Sequence, residues 1–477
     1  MPIEASHDVT DVLAADLVVE MVPLGDEAGL DAARRAYAAA GMTGKVGDTL
    51  LVASPEGPAR LLVGIGPADE LDPGAVRRAL GRAAPSLRGY ATVGVPASAG
   101  ALGDRSLTAA AEGVLLGAHR FERFRTQADG RALGRVLLEV PPGLDPGAAE
   151  GAVRLGIVSA EAGIEARNLV NTPANHCTPE HLAAHAESLA YGSDLEVEVW
   201  REDELARERC GGILGVGRGS ANPPRLILLT YRGGGDERPL ALAGKGITYD
   251  AGGMSLKLGD PLEYMKFDMA GGAAVMAAIH AIARLELPVN VVGAVASADN
   301  VSGPTAIKPG DVLALRSGRT CEIVNTDYEG RVVLADALDV LRGRSPSAIV
   351  VAATLWGGGE TLGDQISPLF GNDDGLVDEV LLAAADAGEP AWRLPLWPGY
   401  RRELESPVAD LKNKPAGKGA VITAAMFLGE FTGDVPWAYL DIGDTGWAHE
   451  RWDLGEVGAT GVPARTLLHL ARSRASG

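Results

Sequence analysis

Cysteine is nearly missing from this chain: Cys177, Cys210 and Cys321 are the only three in 477 residues. Scattered thiols in that number cannot build a disulfide framework, and a reducing compartment suits them best. Aromatic residues are scarce as well, at 5% against 46% hydrophobic residues, while glycine counts 63. The core must therefore be aliphatic and rich in small residues, as helix-on-sheet layers are. Basic charge is in deficit, with 43 Lys and Arg against 63 Asp and Glu and a formal net charge of −20. A surface of that sign repels nucleic acid and anionic membranes. Long apolar runs are also absent. VNVVGAVASA and SAIVVAATLW fall well short of the ~18 residues a membrane span needs. The opening MPIEASHDVTDVLAADLVVEM has no basic region followed by an apolar stretch, so a cytoplasmic protein is expected.

Several familiar sites are missing too. No serine sits in G-x-S-x-G, which removes the nucleophile elbow of an α/β-hydrolase. Gly244-Lys245 lacks the upstream glycine and the following Ser or Thr of a phosphate-binding loop. GVGRG, at 215–219, is one residue short of a dinucleotide fingerprint and reads as a turn. His181 and His185 have zinc-protease spacing, with His176 and Cys177 nearby, but Leu182 stands where the general-base Glu belongs. Thr178-Pro179-Glu180 is better read as a helix start with cap, first-turn proline and acid. His449-Glu450 is followed by Asp453, so it fails as well.

What is present is α/β alternation. LVVEMVPL, TLLVAS, RLLVGIG, YATVGVPA and RVLLEV predict strands, and the stretches 30–41, 72–84 and 107–121 predict helices. PPGLDPG, at 141–147, marks a boundary, and a long helix over 148–170 reads as a rod joining two domains. Beyond it LEVEVW, RLILLTY, PLALAGKGI, VNVVGAVASA, TCEIVN and SAIVVAATL predict strands. EHLAAHAESLA, 271–285 and VVLADALDVLRG predict helices. A chain of this length exceeds one ordinary core. The expectation is a smaller N-terminal α/β domain, 1–150, and a larger C-terminal domain, 151–477. The latter has a mostly parallel central sheet covered by helices on both faces.

Three segments of the second domain bring acids and lysines to strand-to-helix junctions, where ligands bind in such sheets. GKGITYDAGGMSLK carries Lys245, Asp250 and Lys257. EYMKFDMAGGAAVMAAI places Asp268 at the expected cap of a small-residue helix. NTDYEGR carries Asp327, Glu329 and Arg331. Four acids in one crevice could not all ionise unaided; two divalent cations would neutralise them and could clamp a hydrolytic transition state. Carboxylate and amine donors without thiolates suit Zn²⁺ or Mn²⁺. Taken singly, each acid has an ordinary reading as a turn, cap or Asx residue.

GKGITYDAGGMSLK, MKFDMAGGAAV and NTDYEGRVVLADAL closely resemble the signature segments of the leucyl (cytosol) aminopeptidase family. EARNLVNTPANHCTPEHLA, GSANPPRLILLTYRG, ITAAMFLGEF and GATGVPARTLLHL extend the likeness over the second domain. The resemblance implies that Asp250 and Glu329 touch both metals, that Lys245 and Asp268 complete the tight site, and that Asp327 completes the exchangeable one. It implies that the substrate's free amine binds the tight metal. Lys257 then polarises the scissile carbonyl with the other metal and stabilises the gem-diolate. It further implies a bicarbonate general base held by Arg331, whose planar fork suits such an anion, and substrate contacts from Met265, Asn325, Tyr328, Thr354, Leu355 and Gly357. Peptide substrates and a homohexamer with inward-facing sites belong to the same implication.

The chain departs from the family pattern at Tyr328 (usually Ala), Val351 (usually an acid), Trp356 (usually Thr) and Tyr439 (usually His). Tyr328 is expected to narrow the pocket for the residue after the scissile bond, and Trp356 to reshape the pocket for the N-terminal side chain. Two rival readings remain: a DNA-binding regulator, which the net charge opposes, and a non-catalytic structural homologue, which the intact ligand set opposes.

Overall fold

In the computed structural model, residues 3–24, 32–54, 57–67, 72–97, 103–127, 130–259 and 262–475 are described. The chain divides into two units, one of residues 1–164 with 449–457 and one of residues 165–448 with 458–477. The long helix, Pro146–Asn171, contains the first point of division.

In the first unit, period-two alternation sorts side chains to the two faces of a six-stranded sheet. Its strands are β1 (Ile3–Ser6), β2 (Leu17–Pro23), β3 (Thr49–Val52), β4 (Ala59–Gly66), β5 (Thr92–Val95) and β6 (Arg135–Glu139). They lie in the order β1-β6-β5-β2-β4-β3, all parallel except β3. Leu17, Val19 and Met21 of β2 pack on one face with helices Pro73–Ala83 and Gly103–Ala118. Val22 faces the other way, with Leu62, onto Ala33 and Tyr37 of helix Ala32–Ala39. The predicted start of that last helix, Leu30 and Asp31, lies outside the described residues. The sequence pattern missed β1.

The second unit is built on eight strands: β7 (Leu195–Trp200), β8 (Arg225–Arg232), β9 (Leu240–Asp250), β10 (Asn290–Asn300), β13 (Ala348–Ala353), β14 (Ser367–Gly371), β15 (Ala391–Arg393) and β17 (Trp437–Asp441). Between them in the chain, β11 (Val312–Ala314), β12 (Thr320–Glu322) and β16 (Leu411–Lys412) form a separate small sheet. The main order is β15-β14-β17-β13-β9-β10-β8-β7. The inner four strands, β10, β9, β13 and β17, are parallel; β8 and β14 join them antiparallel, so the sheet is mixed at its margins. TCEIVN, expected as a main-sheet strand, supplies only β12 of the small sheet.

Helices cover both faces. Ala270–Arg284 packs on β9 and β13, with Ala464–Ala475 and Asp374–Ala387 beyond it. Gly330–Arg342 and Gly211–Gly217 lie against the opposite face. The small residues opening helix 270–284 have a steric cause: a Cβ on Gly271 would stand 2.0 Å from the Ala352 carbonyl oxygen. The aliphatic core that composition demanded runs through β9, β10 and β13, where Ala243, Ile247, Ala296, Ile349 and Val351 are all inaccessible. Each large aliphatic side chain so buried contributes ~1.5–3 kcal/mol. The three cysteines are buried and unlinked, and burial pushes the thiols of Cys210 and Cys321 up to about 12.

Candidate metal centre

Polar groups gather where the inner parallel strands end. Asp250 closes β9, Asn300 closes β10, Thr354 follows β13 and Asp441 closes β17. Strands buried on both faces tolerate such groups only at their ends or where they are paired. Lys245 is the exception, buried in mid-strand beside Ala296. Alternation alone would aim Lys245 and Asp250, five residues apart, at opposite faces. β9 carries one extra residue, Thr248, against the Ala298–Asp299 step of β10. That bulge turns Asp250 back to the side of Lys245.

After β9 the chain folds back through Gly252, whose φ of +87° suits glycine and whose absent Cβ would lie 2.5 Å from the Ser255 carbonyl oxygen. Lys257 thereby returns to the acids: its Nζ lies 3.0 Å from Asp250 Oδ2 and 2.6 Å from Asp327 Oδ1. Lys245 Nζ lies 2.7 Å from Asp268 and 2.8 Å from Glu329 Oε1. Asp268 is not a helix cap. It sits in a 3-10 turn, Leu262–Met269, while Met269 occupies the cap position, and its Oδ1 accepts from Thr354 Oγ1 at 2.6 Å. Asp250 does hold its turn, accepting from the Gly252 N–H at 2.8 Å, yet the same carboxylate faces Lys257. Asp327 and Glu329 arrive on the loop after β12. Oxygens of Asp250, Asp327 and Glu329 lie within 4.8 Å of one another.

Four carboxylates thus share two ammonium groups, a deficit of two positive charges. Burial, reinforced by Glu329, pushes Asp250 up to about 7. Burial also raises Asp268 well above the usual carboxylate range, and raises Asp327. At Glu329 burial acts upward, but Lys245 and Lys257 outweigh it and hold that carboxyl low. Burial opposes the charge on both lysines, yet the surrounding acids lift them above the ordinary amine range. Asp268 Oδ2, Asp327 Oδ1 and Glu329 Oε1 are buried, with the lysine ammonium groups 2.7, 2.6 and 2.8 Å away. Such a cluster favours added cations, and its oxygen and amine donors suit borderline or hard divalent ions.

Arg331, 1% exposed, opens helix 330–342. Its guanidinium lies 4.9 Å from the Tyr328 ring, and its buried Nε and Nη1 have no hydrogen-bond partner. Burial lowers its pKa. Asp441 contributes opposite charge but is engaged by the N–H groups of Trp356, Gly357 and Gly443. Idle N–H groups on a buried planar fork make a receptor for a carboxylate-like anion.

The remaining sequence-predicted residues fall around this cluster. Met265 is half-buried in the turn that carries Asp268. Asn325 Oδ1 accepts from the Asp327 N–H at 2.7 Å. The Thr354 carbonyl accepts from Lys245 Nζ at 2.8 Å. Leu355 is half-buried against the core, and Gly357 takes a φ of +88°. Tyr328 and Trp356 form a tilted pair with ring centroids 5.9 Å apart; Trp356 is 54% exposed. Val351 is wholly buried in β13 next to Tyr439, which stacks on Phe370. His181 and His185 stand apart from the cluster: the Thr178 hydroxyl caps their helix, and His185 meets Glu165 at 3.1 Å.

Sequence reading missed Asn300 and Asp441. Asn300 Nδ2 reaches Asp250 Oδ1 at 2.7 Å and Glu329 Oε2 at 3.3 Å. Both residues are polar ends of apolar strands, ADN and YLD, a signal available in the sequence.

The chain is similar throughout to known proteins. The model described as the cytosol aminopeptidase family, catalytic domain, matches residues 164–468, and that family's N-terminal domain model matches 25–128. A probable cytosol aminopeptidase of Syntrophotalea carbinolica is 42% identical, over 90% of this chain and 88% of its own length. One from Roseiflexus castenholzii is 43% identical, over 76% and 75%. Among solved structures, the bottromycin maturation enzyme BotP matches with a TM-score of 0.86 at 35% identity, over 97% of this chain and 100% of that one. The same enzyme in complex with Mn matches with the same TM-score, 0.86. The chain belongs to the cytosol aminopeptidase family and is a metal-dependent aminopeptidase, a hydrolase of peptides.

Proposed function

We propose that the carboxylate–lysine cluster is the catalytic centre and that it releases N-terminal residues, leucine among them, from short peptides with two divalent ions, Zn²⁺ or Mn²⁺. The observation that carries this is the charge deficit: Asp250, Asp268, Asp327 and Glu329 converge on one space, and among the described residues their ion pairs are with Lys245 and Lys257 alone. Lys245, Asp250, Asp268 and Glu329 would hold one ion; Asp250, Asp327 and Glu329 the other. When bound, the ions supply Lewis acidity toward the scissile carbonyl and activate the attacking water. Lys245 must lose its proton to serve as a ligand, and added positive charge reverses the field that now keeps it protonated.

Lys257, released from its acids, is free to donate to the developing oxyanion. Arg331, with two idle N–H groups, would hold bicarbonate in two places. That anion would supply the proton acceptor that the cluster's carboxylates, engaged as ligands, could not. The cluster's closed end, at Asp268 and Thr354, is acidic and buried, and suits the substrate's amine. A homohexamer in the cytoplasm completes the reading, supported by family membership. Nothing in the similarities favours DNA binding.

The test is turnover of aminoacyl anilides by chelated protein with Zn²⁺ or Mn²⁺ restored, with and without bicarbonate. Restored activity that Glu329→Gln abolishes supports the assignment. Undiminished activity in Glu329→Gln would remove it.

A further inference from the structure

The chain holds eight lysines, and three of them, Lys412, Lys414 and Lys418, fall within seven residues. In a protein of net charge −20 that concentration is a local reversal of sign. Lys245, Lys257 and Lys308 are paired with carboxylates. Lys412, Lys414 and Lys418 have no carboxylate partner among the described residues.

The segment is tied to the candidate centre. β16 pairs with β12, Leu411 beside Cys321 and Lys412 beside Glu322. Asn413, fully buried, donates to the carbonyls of Asn325 at 2.6 Å and Tyr328 at 3.3 Å, and accepts from the Val324 N–H at 2.9 Å. The chain just before Lys414 is thus locked to the loop that carries Asp327 and Glu329. The half-buried Lys414 places its Nζ 5.5 Å from the centre of the Tyr328 ring. Its position is set by a buried neighbour rather than by a free chain, so little ordering is left to do when it meets a ligand.

Direction along the site follows from burial. The amine of a substrate belongs at the closed acidic end, where Asp268 is 4% exposed. The rest of the peptide must leave by the open end, past Asp327, whose side chain is 26% exposed, and past Tyr328. Lys414 stands at that exit. We propose that Lys414 is a specificity residue that binds a carboxylate on the residue after the scissile bond, either an acidic side chain or the terminal carboxylate of a dipeptide. The inference rests on the site assignment made above.

Matched substrates separate the two sources. With Mn²⁺-loaded enzyme, kcat/KM is measured for Leu-Glu-amide against Leu-Gln-amide, and for Leu-Gly against Leu-Gly-amide. Lys414→Ala should lower the charged-to-neutral ratio about three- to fivefold in one pair, mainly through KM, since a part-exposed charge contact is worth about fivefold at most. The neutral amides should change less than about twofold on the same scale. Lys414→Arg should keep the ratio, Lys414→Glu should invert it, and raised salt should shrink it in wild type. Equal losses on charged and neutral substrates, or unchanged ratios in both pairs, would overturn the proposal while leaving the centre intact. Failure of wild type to cleave any neutral amide would overturn both.

Discussion

Lys257→Met separates the two charge states of the centre. Without ions, Lys257 lies 3.0 Å from Asp250 and 2.6 Å from Asp327. At an effective dielectric of ~20 each contact is worth about 5–6 kcal/mol before the cost of burying the ammonium. Desolvation takes back most of that sum, and the lysine is 15% exposed, so removing it should cost about 3 kcal/mol, the low end for breaking a buried pair. In a domain of this size that is on the order of 5 °C of melting temperature. With two divalent ions in place the same acids are neutralised without Lys257, and the loss should shrink below about 1 kcal/mol. Because the ammonium and the ions compete for Asp250 and Asp327, the variant should bind Mn²⁺ more tightly than wild type, while kcat falls on the order of 10²-fold or more through loss of the oxyanion donor. Thermal melts of chelated and Mn²⁺-loaded protein, with titration calorimetry, read all three quantities. An equal destabilisation with and without ions, or weaker ion binding by the variant, would refute the reasoning.

Arg331→Met should abolish the response of the rate to added bicarbonate yet stabilise the ion-free protein by at least ~1 kcal/mol, since idle buried donors are costly; retained bicarbonate activation would contradict it. Tyr328→Ala and Trp356→Thr should broaden acceptance of the second and first substrate residues respectively. Because their rings touch, the double variant should depart from additivity across an anilide and dipeptide panel. Strict additivity would show two independent pockets. At Glu165 burial acts upward, but His185 and His280, at 3.1 and 2.8 Å, hold the carboxyl down at about 2. A depressed carboxyl contributes stability that is full above ~4.5 and is lost as pH falls toward 2, about 3 kcal/mol in all. Urea unfolding at successive pH values should show wild type and Glu165→Gln converging over that window, and a constant gap would reject the linkage.

β9, β10 and β13 and the long helices against them were legible because apolar runs and 3.6-residue periods are long there; β9, β10 and helix 330–342 stand where those periods place them. β14, β15, β17 and two strands of the small sheet were not, since strands of two to five residues carry too little alternation to be heard above loop composition. The acids were legible as members of three dense motifs. What sequence spacing could not show was convergence. The bulge at Thr248 decides the face on which Asp250 falls. Asp268 looked like a cap but belongs to the turn before one. Asn300, Asp441 and Lys414 enter from strands and loops far along the chain, and only the parallel stacking of β10, β9, β13 and β17 and the β12–β16 pairing bring them near.

The central claim is that cations, and not the two lysines alone, balance the four acids in the working enzyme. The most direct measurement is ion content by elemental mass spectrometry alongside anilide turnover, on protein stripped by chelator and then titrated with Mn²⁺. The account predicts negligible turnover in stripped protein, two ions bound per chain at saturation, activity rising with their uptake, and loss of both ions in Asp250→Asn. Full turnover by ion-free protein, or saturation without any bound ion, would contradict it.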